Sequence, residues 1–236
     1  MIGFESALCF PSDNHGKRRG SLQPSMIIIH YTGMQSVQAA LERLCSPEFE
    51  VSSHYLISAQ GEIFQLVSED RRAWHAGLSY WRGWQDINSR SIGIELDNVG
   101  DQPFPFPQMR SLISLCKDIQ CRWRIWPVNV LGHSDVSVTR KVDPGSKFDW
   151  ESLARAGVGI WPENSTTNSD IAPSKVNFLK NAELLGYDIS NGLSSVLAAV
   201  RRRFSPYRSG PLGSADCALM DRLLTAFSID QERKTP

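Results

Sequence analysis

Short segments of strand character alternate with segments of helical character between residues 25 and 133. The clearest strand is Ser25–Tyr31, SMIIIHY, whose three consecutive isoleucines are typical of a buried strand. The segment after it, SVQAALERLC at residues 36–45, places its apolar side chains on one face of a helix. This alternation predicts an α/β fold in which a mixed central β-sheet is flanked by helices.

The remaining segments extend the same pattern. HYLIS and GEIFQLV flank residues 59–61 and predict a hairpin, while SIGIELDN and WPVNVLGH predict two further strands. Between these last two segments, residues 108–123 carry apolar side chains at helical spacing, and Pro107 suits the entrance of a helix.

The composition changes at Trp161–Ser174, WPENSTTNSDIAPS, which is polar and has no periodicity. We therefore predict a domain over residues 1–160, a linker at 161–174 and a small all-α module over 175–236. Three short amphipathic segments separated by tight turns predict three helices in that module.

The charge balance and the apolar segments limit the partners of the chain. Its 25 basic and 25 acidic residues give no net charge, so we expect neither nucleic acid nor an anionic membrane surface as a partner. No apolar stretch is long enough to span a bilayer, and Glu5 and Ser6 interrupt any secretory signal. We therefore expect a cytoplasmic protein, with the periplasm or cell envelope as the alternative if a signal has been removed.

Two histidines stand where strand segments end: His30 ends the IIIH run and His133 follows VNVLG. Side chains at the ends of neighbouring strands converge on one edge of a sheet, and Asp143, held in a turn by Pro144 and Gly145, is a candidate third partner. Hydrolytic zinc sites take three such protein ligands and keep the fourth position for water. Spacing alone leaves a second interpretation open, with two structural histidines and an Asx-turn before proline.

Four segments, in the same order, resemble the zinc-dependent N-acetylmuramoyl-L-alanine amidases of the type 2 amidase family: IIIHYTG, RAWHAG, DINSRSIGIELDN and GHSDVSVTRKVDPGSKFDW. SDNHGKRRG near the N-terminus is similar to the AmpD- and AmiD-like branch of that family. The resemblance covers residues 10–160 and implies the mixed sheet shared with peptidoglycan recognition proteins. It also implies hydrolysis of the amide between N-acetylmuramic acid and L-alanine in peptidoglycan or muropeptides.

The resemblance also implies a cofactor and its ligands. By motif, His30, His133 and Asp143 match the residues that bind Zn²⁺ in the family. Two neutral imidazoles and one carboxylate leave the ion a net positive charge, which lowers the pKa of a bound water to about 7.

Two further residues match catalytic positions of the family. Glu95 matches the glutamate that acts as base, and Lys141 matches the lysine that stabilises the oxyanion or helps protonate the leaving amine. Taken from the residues alone, Glu95 could instead lie on the solvent face of its strand, and Lys141 could be an ordinary solvated lysine.

Four residues are candidates for binding the substrate. Arg72 and Arg140 match positions that approach the stem peptide, whose carboxylates suit guanidinium groups. His75 is a candidate for lining the groove, and Asn88 for ordering the loop before the Glu95 strand. Surface ion pairs for the arginines and structural roles for the other two residues stay open as alternatives.

The C-terminal module resembles, more weakly, the three-helix peptidoglycan-binding domains appended to some envelope amidases. The alternative is a helical extension that only packs on the amidase. A second functional hypothesis is a binding module that recognises muropeptide on the same fold without cutting it. Because all three ligand positions are filled, the sequence favours the enzyme.

Overall fold

The computed structural model describes residues 1–20, 23–162 and 172–227. Its strands are β1 Leu8–Cys9, β2 His15–Lys17, β3 Met26–Tyr31, β4 Tyr55–Ile57, β5 Ile63–Gln65, β6 Arg71–Ala73, β7 Ser91–Leu96 and β8 Val130–Gly132. Six of them form the central sheet in the order β1-β5-β4-β7-β3-β8, and β2 pairs with β6 in a separate antiparallel ribbon.

The helices are α1 Val37–Cys45, α2 Phe106–Trp123, α3 His133–Val136, α4 Trp150–Arg155, α5 Lys175–Leu185, α6 Gly192–Phe204 and α7 Ser214–Phe227. Short 3₁₀ turns lie at Pro47–Phe49, Ile87–Ser89, Pro127–Asn129 and Ile189–Asn191. Among the described helices, none is both long enough and apolar enough to cross a membrane.

The central sheet is mixed, as the sequence predicted. β7 runs parallel to β3 and β4, β8 runs parallel to β3, and β5 returns antiparallel to β4. The β4–β5 hairpin turns at Gly61, whose φ of 91° lies in the region that glycine tolerates best. The predicted hairpin and the predicted α/β fold are both confirmed.

The two faces of the sheet carry different side chains because neighbouring residues of a strand point to opposite sides. On one face, Ile27 and Ile29 of β3 pack in a single buried cluster with Ile92 and Ile94 of β7 and the apolar stripe of α2. The opposite face of β7 carries Ser91, Gly93 and Glu95. This second face is polar where the strands end, and it carries the candidate site.

The C-terminal helices pack on the second face, beside the polar region. Ile28 of β3 and Leu131 of β8 share one buried cluster with Phe178 of α5 and Val200 of α6. These three predicted helices are confirmed. Within the predicted linker, residues 163–171 lie outside the described part of the chain, and the domain boundaries stay a prediction.

A buried ion pair joins these helices to the segment after β8. Arg203 of α6 donates to Asp135 of α3 at 2.7 Å and to the carbonyl of Val130 at 3.0 Å. The hydroxyl of Tyr187 donates to the second carboxylate oxygen of Asp135 at 2.7 Å. The side chains of the ion pair are only 2% and 1% exposed, so neither charge can turn to water.

Replacing Arg203 with alanine is expected to lower the free energy of unfolding by about 3–5 kcal/mol, because the Asp135 carboxylate then stays buried without its cation. Chemical denaturation followed by circular dichroism measures the change. Arg155→Ala is the matched control: its i,i+4 pair with Glu151 is mostly exposed and is worth at most about 1 kcal/mol. Equal losses in the two variants would contradict a special role for the buried pair.

Candidate active site

The strand register brings the two predicted histidine ligands together. β3 and β8 are paired up to Ile29 and Gly132, so His30 and His133 are the next residues on adjacent strand ends. Asp143 comes from the loop after α3, where its carbonyl accepts a hydrogen bond from the amide of Ser134 at 2.9 Å. All three candidate ligands are buried: His30 is 1% exposed, His133 2% and Asp143 7%.

Three donor atoms form a nearly equilateral triangle. Nδ1 of His30 lies 3.0 Å from Nδ1 of His133 and 2.9 Å from Oδ2 of Asp143, and the third side of the triangle is 3.0 Å. Tetrahedral zinc with bonds of about 2.0–2.1 Å places its ligand atoms about 3.3 Å apart. The triangle therefore has nearly the size that one zinc ion requires.

The outer ring nitrogen of His133, Nε2, points away from the triangle, and its hydrogen bond determines whether the inner nitrogen, Nδ1, carries a hydrogen. Nε2 lies 3.0 Å from the carbonyl oxygen of Ala76, which can only accept, so Nε2 carries the hydrogen. In the neutral ring, Nδ1 then presents a bare lone pair to His30 and Asp143. Donation of the outer N–H to a backbone carbonyl is the usual arrangement of a metal-binding histidine.

His30 and Asp143 carry the charges that such a centre requires. Burial and the neighbouring His133 lower the pKa of His30 to about 4, which makes it neutral at pH 7. Asp143 is the anionic member of the group, and its Oδ2 lies 2.9 Å from Nδ1 of His30 and 3.0 Å from Nδ1 of His133. The lone pairs of one carboxylate and two neutral rings thus point toward one another across 2.9–3.0 Å. A cation bound between them would offset their mutual repulsion. The donor set fits zinc.

A glycine allows the Asp143 loop to lie close to β8. A Cβ atom on Gly132 would come within 2.7 Å of Cδ of Pro144, a contact that real side chains do not make. Gly145 follows with a φ of 82°. The GH and DPG motifs therefore fit together, because Gly132 of the first motif leaves room for the turn at Pro144 of the second.

Glu95 lies beside the triangle and is half-buried rather than fully solvated. It is in register with His30 on β3 and with Leu56 on β4, so it occupies the centre of three parallel strands. Its Oε2 atom is buried, with no hydrogen-bond partner among the described residues. Burial and the Asp143 carboxylate raise the pKa of Glu95 to about 8, against the opposing charge of Lys141.

Lys141 is partly buried and electrostatically coupled to the same centre. Its ammonium lowers the pKa of both Glu95 and His30. Lys141 therefore acts electrostatically on the carboxylate that the resemblance assigned to proton transfer.

The four predicted substrate-binding residues each have protein partners. Arg72 pairs with Asp86 at 3.0 Å, and the Arg140 guanidinium donates to the carbonyls of Ala76 and Leu78 at 2.8 and 3.0 Å. Oδ1 of Asn88 accepts from the backbone amides of His75 and Ala76 at 3.0 and 2.8 Å, and the His75 ring lies 3.0 Å from His30. Substrate contact by these four residues stays a prediction.

Sequence reasoning missed two residues beside the site. Ser91, whose hydroxyl lies 3.2 Å from the His75 ring, shares its strand face with Gly93 and Glu95. The two-residue period of the strand would have found it. Asp135 belongs to the GHSD segment, but its partner Arg203 lies 68 residues away, and no local pattern indicates that pairing.

A mixed sheet with a histidine, histidine and aspartate triangle at its strand ends, beside a half-buried glutamate, defines a hydrolase of the type 2 amidase class. The sequence pattern of the family Amidase_2, N-acetylmuramoyl-L-alanine amidase, matches residues 20–146. The chain belongs to this family, and it is an enzyme of the N-acetylmuramoyl-L-alanine amidase type.

Curated relatives include both branches that the sequence resembled. The amidase AmiD of Escherichia coli K12 is 36% identical over 234 residues, which cover 87% of this chain and 84% of AmiD. The 1,6-anhydro-N-acetylmuramyl-L-alanine amidase AmpD of Haemophilus influenzae is 35% identical over 158 residues, which cover 59% of this chain and 86% of AmpD.

Two solved structures match most of this chain. AmiD from E. coli, in complex with the substrate anhydro-N-acetylmuramic acid-L-Ala-D-gamma-Glu-L-Lys, has a TM-score of 0.80 and 34% identity, covering 89% of this chain and 92% of AmiD. AmpDh3 from Pseudomonas aeruginosa, in complex with anhydromuramic pentapeptide, has a TM-score of 0.80 and 30% identity. The match covers 97% of this chain and 99% of AmpDh3. Both matches extend over the C-terminal helices.

Proposed function

We propose that this protein is a zinc-dependent amidase that releases the stem peptide from muropeptides by hydrolysing the bond between the lactyl group of N-acetylmuramic acid and L-alanine. The observation that carries the proposal is the buried triangle of His30, His133 and Asp143. Its three donor atoms converge within 3.0 Å, and the outer nitrogen of His133 donates to a backbone carbonyl.

His30, His133 and Asp143 would hold the ion, since two imidazoles and one carboxylate form a hydrolytic rather than a closed structural zinc site. When bound, zinc supplies Lewis acidity that makes water acidic enough to attack at neutral pH. The described residues bring no fourth metal-ligating side chain to this group. A bound ion would therefore stay accessible to water and substrate.

Glu95 and Lys141 would move the protons and stabilise the charge. Glu95 accepts a proton from the attacking water and passes it to the departing amine of L-alanine, for which its buried, unpaired Oε2 is suited. The Lys141 ammonium stabilises the negative charge that develops on the amide oxygen. One water is consumed: a carbon–oxygen bond forms, the carbon–nitrogen bond breaks, and a muramyl carboxylate and a free peptide amine result.

Muropeptides with a 1,6-anhydro end are the proposed substrates, because anhydromuramyl peptides occupy both related structures named above. Arg72 and Arg140 are proposed to approach the carboxylates of the stem peptide, and Asn88 to order the loop beside it. The cytoplasmic location predicted from the sequence stays a prediction, with the cell envelope as its alternative.

Removing the metal is expected to abolish turnover. Protein dialysed against a strong chelator should release no peptide from a purified anhydromuropeptide, and addition of one equivalent of zinc should restore the rate. Magnesium should not restore it, because Mg²⁺ prefers oxygen ligands in octahedral geometry. Liquid chromatography with mass detection measures the peptide, and elemental analysis measures the zinc. Undiminished turnover by metal-free protein would contradict the proposal.

A further inference from the structure

We propose that His75 is a positioning residue which, together with Ser91, fixes the ring nitrogen that His30 presents to the metal site. The inference rests on the proposed function, because it concerns how this chain prepares a ligand for zinc. It assigns a task to the histidine of the WHAG segment that differs from contact with substrate.

A chain of hydrogen bonds runs from a backbone carbonyl to His30, and the direction of each bond follows from its anchor. The hydroxyl of Ser91 donates to the carbonyl of Ile87 at 2.7 Å, so its oxygen is left to accept. Nε2 of His75 lies 3.2 Å from that oxygen and must carry a hydrogen. Nδ1 of the neutral His75 ring is then an acceptor.

The last bond in the chain reaches the candidate ligand. Nε2 of His30 lies 3.0 Å from Nδ1 of His75, so Nε2 donates and Nδ1 of His30 is left without a hydrogen. That bare Nδ1 is the atom that faces His133 and Asp143. A ligand whose tautomer is set in advance binds zinc without first losing a proton from the coordinating nitrogen.

The fold holds the His75 ring in place. A Cβ atom on Gly93 would lie 2.5 Å from Cγ of His75, so the ring packs directly on the backbone of β7 where that strand has no side chain. The rings of His75 and His30 meet edge to face, with centroids 5.1 Å apart. Asn88 fixes the backbone on both sides of the residue through the amides of His75 and Ala76.

The same short segment orients the second histidine ligand. The carbonyl of Ala76 accepts from Nε2 of His133 at 3.0 Å. Adjacent residues thus determine the tautomers of both histidine ligands, His75 through its side chain and Ala76 through its backbone. Because both ring nitrogens of His75 are engaged with protein groups, the ring acts through His30 rather than on substrate.

The test is the zinc dissociation constant of variants of the full chain, measured by competition with a fluorescent chelator alongside kcat. His75→Leu removes the acceptor for His30 and is expected to weaken zinc binding by about 10- to 100-fold. His75→Asn places an amide oxygen near the position of Nδ1 and is expected to recover most of the affinity. Ser91→Ala, a smaller change that tests the same chain if the leucine variant fails to fold, should weaken binding several-fold.

His15→Gln is the matched control. His15 is a half-buried histidine of β2 whose Nδ1 accepts from Nε of Arg71 at 3.4 Å rather than contacting a candidate ligand. Its replacement should leave the zinc affinity unchanged.

Unchanged zinc affinity in both His75→Leu and Ser91→Ala would overturn the positioning role while leaving the proposed function intact. Equal losses in the asparagine and leucine variants, or in the His15 control, would overturn it too, because the hydrogen-bond chain would then not be the cause. A wild-type protein that binds no zinc would overturn the proposed function as well.

Discussion

Replacing Glu95 with glutamine is expected to lower kcat by about 10²- to 10⁴-fold while leaving the zinc content unchanged. The amide has nearly the shape of the carboxylate but cannot accept a proton from water. Glu95 is not a candidate ligand, and its Oε2 has no hydrogen-bond partner among the described residues, so the substitution breaks no visible contact. Steady-state kinetics on a purified muropeptide, with zinc quantified in the same sample, measures the effect.

The pH profile gives the same prediction a second readout. A base must be ionised to act, and burial with the Asp143 carboxylate raises the pKa of Glu95 to about 8, opposed by Lys141 and by any bound cation. The kcat/KM of the wild-type protein should therefore fall as the pH drops through that pKa, and Glu95→Gln should lose this limb. Asp97→Asn, just beyond the end of β7 and two residues after Glu95, is the control. Full turnover by Glu95→Gln would remove Glu95 from the mechanism.

The second large effect is expected for Asp143→Asn, which should lose both zinc and turnover. A neutral amide replaces the only anionic member of the triangle, so the three ligands offer the cation no negative charge. Loss of an outer hydrogen-bond partner already costs about 10- to 100-fold in affinity or activity, and loss of a ligand should cost more. Elemental analysis after dialysis, together with peptide release, measures both losses.

Asp149→Asn is the matched control for this substitution. The Asp149 carboxylate caps α4 by accepting from the amide and hydroxyl of Ser152, and it lies at the surface six residues after Asp143. It should keep its zinc and its turnover. Should Asp143→Asn bind zinc as tightly as the wild type, the ligand set proposed above would be wrong.

The sheet could be predicted from sequence because its central strands carry runs or alternating rows of isoleucine and leucine. The IIIH and SIGIEL segments have few alternatives to burial, and each carries a residue with chemical function at or next to its end. What periodicity could not supply is the pairing order, because β3 lies between β7 and β8 rather than beside β4. That order brings His30 next to both Glu95 and His133.

The motif resemblance identified the residues of the triangle, but it could not predict their supporting contacts. The chain of hydrogen bonds through His75 and Ser91 depends on the contacts of the His30 and His75 rings and the Ser91 hydroxyl in the folded protein. The ion pair between Asp135 and Arg203 joins residues 68 positions apart and requires α6 to pack against β8. Contacts of this kind arise from tertiary packing and leave no local pattern in one sequence.

Hydrolysis of a purified anhydromuropeptide in heavy-oxygen water tests the central claim most directly. Zinc-loaded protein should yield an unlabelled stem peptide with a free L-alanine amine and a muramyl fragment whose lactyl carboxylate carries the heavy oxygen, and a chelated sample should yield neither. Label in a carboxylate of the peptide would mean that a different bond is cut. Intact muropeptide at full zinc occupancy would mean that this chain binds cell-wall fragments without cleaving them.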